Sequence, residues 1–460
     1  MSDDTHADQS TPEAEGRADS VAPAPPSTTR RLLLLAVPAL LVGIGSALSL
    51  VLLDVIADGL DSLLWDVIPD AGGFDSYTDW WVIAVLTLAG LATGLIIRFV
   101  PGHAGPDPAT ESFFPHPERL STLPGLALAA VITLATGVSL GPEGPIITIN
   151  VALAAWVFSK LLPAVPVPVV VLMVVTGTFG ALFGSPVGAA LLATTVAATT
   201  ASKELLWDRL FLPLASAASG SLVMMLISGH SLSITLPAYE PDVLLDLGIA
   251  LAVCAVGIAV GVVALWAFPH LHRIFHRWRN PILPLTVAGL LLGVLGAIGG
   301  EITMFKGLQQ MQQLAGDVDD LSSWQLAAIV AIKTAALLIA GAAGFRGGRV
   351  FPTVFIGAAI GMLVYAIFPG VPLPIAVAAG VLGICLVVVR DGWLSLFIAA
   401  VVAGDPTILP ILCMVVLPGW LVVARLREMR ITVPTASTAT APVVAAPDVP
   451  AADPSDGRPA

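Results

Sequence analysis

Apolar residues run along this chain in blocks rather than in alternation. From Leu32 to about Ala424 they recur in stretches near the length of about 20 residues that a helix needs to cross a hydrocarbon layer, with short polar or Gly/Pro-rich breaks between them. Backbone polar groups inside lipid must be satisfied within the segment itself, so this pattern predicts an all-α membrane protein. Several blocks are short: 145–162, 166–183, 186–200, 350–368, 372–389 and 393–403, four of them opening on proline. About fourteen full and partial transmembrane helices are expected, many of them broken or re-entrant. Helices broken at membrane depth are tolerated where their ends line a cavity or are buried in protein.

The blocks repeat. Gly141-Pro-Glu-Gly-Pro145-Ile-Ile-Thr-Ile149 and Gly348-Arg-Val-Phe-Pro352-Thr-Val-Phe-Ile356 share Gly-x-x-x-Pro-x-x-x-Ile, and each follows an apolar span that ends in small residues. Gly177-Thr-Phe-Gly180 and Gly380-Val-Leu-Gly383 correspond more weakly further on. A polar break near His230 divides the chain into a first membrane repeat at 30–240 and a second at 241–430. The first spans of the two start on opposite sides, so the repeat is inverted, an arrangement that places a substrate site near the bilayer midplane. The flanks 1–29 and 431–460, rich in Ala, Pro, Ser, Thr and Asp, read as disordered tails.

Composition agrees: of 460 residues 57% are hydrophobic and 11% charged, which commits the chain to lipid. Arg30 and Arg31 precede the first span and Arg425, Arg427 and Arg430 follow the last, so both termini are expected in the cytoplasm of a multi-pass plasma-membrane protein. Between Asp54 and Asp79 there are seven Asp and no Lys or Arg, which reads as an exterior loop. The cluster His270, His272, Arg273, His276, Arg277 and Arg279 reads as a cytoplasmic interfacial anchor rather than a metal site. The acidic first tail has no short apolar core before a cleavage site and is not a removed signal peptide. A net charge of −12 with scattered basic residues excludes nucleic acid as a partner. Cys254, Cys385 and Cys413 stand alone in apolar stretches and read as packing residues. No Ser/His/Asp, Cys/His or metal constellation occurs within the spans, so neither an enzyme nor a cofactor is expected.

The chemistry lies in Gly141 to Pro145. Glycines let the backbone turn tightly with its N–H groups uncovered, and a proline in the first helical turn sacrifices no intrahelical donor. The result is a helix N-terminus, which in a low-dielectric interior offers free N–H groups and the positive end of a dipole. Such an end binds anions without a full positive charge and lets them leave. Glu143 stands there, and a carboxylate at membrane depth is costly without a partner or a task. Ionised, it can occupy the site in place of an anion; protonated or displaced, it opens the path.

These residues carry a resemblance to the CLC chloride channels and transporters. Thr136-Gly-Val-Ser-Leu-Gly-Pro-Glu-Gly-Pro145 is similar to that family's gating-glutamate segment, which carries the gate onto Glu143. Lys333 with Gly341 to Pro352 resembles its lysine-bearing helix and following Gly-x-Phe-x-Pro segment, and Phe183-Gly-Ser-Pro-Val-Gly-Ala-Ala-Leu its helix pair after the gate. The resemblance spans about Leu32 to Leu426 and implies the CLC fold, a homodimer with one pore per subunit in membrane lipid, and a small inorganic anion as cargo. It implies anion contacts at Gly141, Gly144, Pro145, Gly348, Arg349, Val350 and Phe351.

Departures accompany it. Pro142 replaces the basic residue before the gate, and Val350 stands where the family has phenylalanine. His103, within Gly102-His-Ala-Gly-Pro106, takes the place of the family's serine, and Asp405 that of its pore tyrosine, although Asp405 also suits a helix cap. Where exchangers carry an inner proton-accepting glutamate this chain has Thr194-Thr195-Val196, which favours passive conduction. A chloride-type channel, a fluoride/proton or chloride/proton antiporter, and a cation or organic-solute transporter with Glu143 and Asp405 as ligands remain the readings. Converging N-termini at Pro145 and Pro352 would separate anion from cation binding.

Overall fold

The computed structural model describes residues 28–199, 205–228, 232–240 and 242–431. The expected tails, apart from their innermost residues, and the dividing point at His230 lie outside the described residues. Sixteen α-helices occur among those described. The first eight are α1 (Thr28–Ser62), α2 (Ile68–Gly72), α3 (Asp79–Phe99), α4 (Leu123–Ala135), α5 (Glu143–Leu161), α6 (Val167–Phe183), α7 (Pro186–Thr199) and α8 (Leu206–Ile227). They are followed by α9 (Val243–Phe275), α10 (Ile282–Gly299), α11 (Leu308–Gly316), α12 (Ser323–Ala343), α13 (Val350–Ile367), α14 (Leu373–Val388), α15 (Gly392–Ala403) and α16 (Leu409–Val423). Nine helices among the described residues are long and apolar enough to cross a membrane, and five more are short apolar pieces. The all-helical class and the short broken helices therefore agree with the apolar blocks.

Two expectations are corrected. The stretch from Asp54 to Asp79 is mostly helix, because α1 runs through a π-helical turn at Leu63–Val67 into α2. The helical period places Asp54, Asp58 and Asp61 on one face, lining a hollow of about 590 Å3 with Glu301 and Lys306. Ala57 and Trp65 are buried beside them, and the Trp65 indole N–H donates to Ala135 O at 3.0 Å. The acidity is therefore carried on a helix at helical spacing rather than on a loop. Cys413 is exposed on α16 rather than packed, whereas Cys254 and Cys385 are buried.

The same packing order occurs twice. Helix α1 contacts α6 and α8 as α9 contacts α14 and α16, and α5 lies on α6 as α13 lies on α14. The pairs α3 with α10 and α7 with α15 join the two sets. At the α3/α10 crossing a Cβ on Gly90 would stand 2.1 Å from Leu285 O, and one on Gly289 would stand 2.2 Å from Leu86 O. Small residues here let backbone meet backbone, the main packing gain available between helices in lipid. The centre holds α14, buried along its whole length, and the first three turns of α13.

Candidate functional site

Helices α5 and α13 both begin in the buried middle of the bundle. Each starts after a glycine-rich turn, and the two turns are joined: Gly141 N–H donates to Gly348 O at 2.9 Å and Gly348 N–H to Gly141 O at 2.7 Å. This bridge brings the N-termini of α5 and α13 face to face.

Glu143, the first residue of α5, is 2% exposed. Its Oε1 accepts the Val350 N–H at 2.6 Å, and the Phe351 N–H also points to the carboxyl group. Both donors belong to the first turn of α13, so the carboxylate of one helix occupies the anion position of the other. Oε2 has no hydrogen-bond partner. Removing a carboxylate from water costs several kcal/mol, and each hydrogen bond to a charged group returns about 1.5–3 kcal/mol. With one oxygen unpaired the balance is close, and the group can be displaced.

Gly141, Gly144, Pro145, Gly348, Arg349, Val350 and Phe351 therefore gather around Glu143. A Cβ on Gly141 would fall 2.1 Å from Glu143 Oε2. The Arg349 side chain turns away to the Met429 carbonyl, with its guanidinium 5.6 Å from the centre of the Phe268 ring. Lys333, fully buried on α12, donates from Nζ to Met304 O at 2.5 Å and Phe305 O at 2.9 Å. Phe305 N–H in turn donates to Gly137 O at 2.9 Å, so the lysine braces the turn that leads to Gly141.

A cavity of about 250 Å3 opens from Glu143 toward one face of the bundle, with Thr148, Thr195, Arg349, Glu428 and Arg430 in its wall. Glu111 lines it as well, on the segment between α3 and α4. Burial pushes the Glu111 carboxyl up to about 7, with Glu118 and Asp107 raising it and Arg346 and the Thr148 hydroxyl opposing. Sequence reasoning missed Glu111. The expected place for an inner carboxylate is the helix after Phe183, whereas Glu111 comes from the segment between α3 and α4 and borders the same cavity as Glu143. Its only signal was an acidic residue beside Phe113 and Phe114, just ahead of an apolar helix.

His103 and Asp405 are not brought to this cavity. The His103 ring is exposed, with Nδ1 2.8 Å from Ile97 O at the end of α3, and only its carbonyl faces inward, accepting from Arg346 at 3.2 Å. Asp405 accepts the Thr407 N–H at 2.8 Å and its hydroxyl at 2.7 Å, capping the turn before α16. Those two donors hold its carboxyl below the usual range. The capping reading describes Asp405.

Residues 88–424 match the family model described as voltage gated chloride channel. The chain belongs to that family. Within the voltage gated chloride channel family it is 47% identical over 396 residues to the protein named "Putative ion-transport protein YfeO" of Salmonella schwarzengrund, covering 86% of this chain and 96% of that one. The protein of the same name from Salmonella newport matches to the same extent. Among solved structures, a CLC-type fluoride/proton antiporter superposes with a TM-score of 0.69 at 17% identity, over 86% of this chain and 96% of that one. A slow cyanobacterial Cl−/H+ antiporter does so with a TM-score of 0.70 at 13% identity, over 84% and 93%. At these identities the likeness establishes the family's helical fold.

Proposed function

We propose that the protein moves small inorganic anions across the cell membrane through a pathway in each subunit of a homodimer, with Glu143 as its gate. One observation carries this reading: the Glu143 carboxylate is bound by the Val350 N–H at the start of α13. A side-chain anion held by helix N-termini marks a site built for a free anion, whereas a cation transporter would present carbonyl ends. The doubled order of helix contacts supports an inverted repeat with 30–240 and 241–430 as its halves.

The cavity is read as the cytoplasmic mouth. Arg31 at the start of α1 lines a neighbouring hollow with residues 114–117, of which Phe114 and Pro115 also border the cavity that holds Glu428 and Arg430. Basic residues thus collect on this face and Asp54, Asp58 and Asp61 line the hollow among acidic groups elsewhere, as the positive-inside rule requires of a cytoplasmic side.

Glu111 favours a second reading, proton-coupled exchange. Without an inner carboxylate passive conduction was the simpler expectation, and the cavity that reaches Glu143 contains one. A carboxyl that lines the same cavity as Glu143 can pass protons toward it.

Purified protein in liposomes, assayed with chloride, fluoride, nitrate and sodium while pH is recorded, tests both. Anions but not sodium should pass, and Glu143→Gln should raise the flux or remove its pH dependence. Sodium flux, or a Glu143→Gln protein identical to wild type, would sink the gate. Proton movement against an anion gradient selects exchange over conduction.

A further inference from the structure

The segment that carries Glu111 is fastened to the rest of the protein by a side-chain cluster unrelated to the anion pathway. Asp107 lies on that segment, His272 in the last turn of α9 and His276 at its C-terminal cap. Both Nε2 atoms face the same Asp107 oxygen, Oδ2, at 2.8 Å for His272 and 3.1 Å for His276. The three donor atoms lie within 4.8 Å of one another, and the two rings stack with centroids 3.8 Å apart.

The hydrogen bonding around the cluster orients it. Asp107 Oδ1 accepts the Ala109 N–H at 2.9 Å, which turns Oδ2 alone toward the histidines. His276 Nδ1 lies 3.1 Å from His272 O, and only a protonated Nδ1 can donate there. In a neutral ring Nε2 then carries a bare lone pair that points at a carboxylate oxygen, two acceptors facing each other. A positive charge has to stand between them, either a proton on His276 or a metal cation. A proton would make His276 an imidazolium paired with Asp107 alone, against the stacked ring of His272. One divalent cation would satisfy all three donors at once.

The donor set suits zinc. Two imidazoles four residues apart on one helix and a carboxylate from another element make a three-ligand site, and hydrogen bonds on the outer side of ligands of this kind are the usual support for their orientation. Bonds of about 2.0–2.1 Å in a tetrahedron place neighbouring donors about 3.3 Å apart, a few tenths of an ångström beyond the two spacings from Asp107 to the histidines. His276 is 41% exposed, which leaves the fourth position open to water and the ion a route in.

We propose that Asp107, His272 and His276 form a binding site for a divalent transition-metal ion of zinc type, which clasps the α3–α4 segment to the end of α9. The other side of the segment is held by Arg346, which donates to His103 O and Gly105 O. Occupancy would fix the segment from which Glu111 borders the cavity mouth. Any effect on transport rests on the function proposed above; the binding itself does not.

Tag-free, full-length protein in lipid nanodiscs, stripped with EDTA and titrated with zinc against a chromogenic chelator, provides the test. One zinc per subunit is expected, bound at least about tenfold more weakly in His272→Ala and His276→Ala, since even supporting groups around metals cost about 10–100-fold. His270→Ala, whose Nδ1 instead faces Trp266 O, should bind as wild type does. Cobalt(II) should give the intense visible bands of a tetrahedral site and lose them in His276→Ala. His276 is exposed at a helix end, so that variant keeps the test open if His272→Ala fails to fold. Zinc that is non-stoichiometric, or that binds equally well to His276→Ala, would show that a histidine–aspartate ion pair alone holds the segment, and the proposal would fall.

Discussion

Gly141 and Gly348 exchange backbone hydrogen bonds in both directions across the centre of the protein, and the Glu143 carboxylate lies against the pair they form. The bridge fixes the distance between the two helix N-termini, and the absence of side chains at both positions leaves room for the carboxylate.

Adding a methyl group should therefore disturb the gate without touching its charge. A Cβ at position 348 would stand 2.1 Å from Glu143 Cδ, so Gly348→Ala should expel the carboxylate from the start of α13. Anion flux should approach that of Glu143→Gln, with a stability loss of about 1–3 kcal/mol, typical of overpacking. Wild-type flux and pH response in Gly348→Ala would show that the observed carboxylate position does not control the pathway.

Glu111 should govern pH dependence between its ordinary value of 4.5 and about 7. The folded state holds a proton there that the unfolded chain has released, so this carboxyl weakens the fold progressively as pH rises through that window, and the penalty is complete above about 7. Glu111→Gln should be relatively more stable than wild type at pH 8 than at pH 4, by thermal unfolding in detergent. It should also flatten the flux profile over the same window. A profile unchanged by the substitution would remove Glu111 from the transport cycle.

Lys333 should matter for stability more than for charge. Its ammonium group serves two carbonyls, at Met304 and Phe305, deep in the bundle. Lys333→Ala would strand both and open a cavity, with an expected loss of about 2–5 kcal/mol and a clear drop in melting temperature. An unaffected melting temperature would mean that the brace on the Gly137 turn is dispensable.

Asp405 gives the opposite expectation. Because its oxygens are engaged by Thr407, Asp405→Ala should leave the chloride, nitrate and fluoride flux ratios unchanged in the liposome assay. A shift in those ratios would return Asp405 to the pathway.

Much of this architecture is local in origin and so legible in the chain. Apolar blocks bounded by Pro166, Pro186 and Pro372 end where helices must end, since proline fits the first turn and breaks the interior. Gly141 to Pro145 announced a helix N-terminus with a carboxylate on it for the same reason. What the fold alone decided depends on groups distant in sequence. That the donors to Glu143 are the first N–H groups of α13, that His103 turns back to Ile97, that Glu111 reaches the cavity, and that Asp107 meets His272 and His276 all follow from how helices pack. Residue type and spacing record the conformational preference of each segment, and the partner across the bundle leaves no mark on that preference.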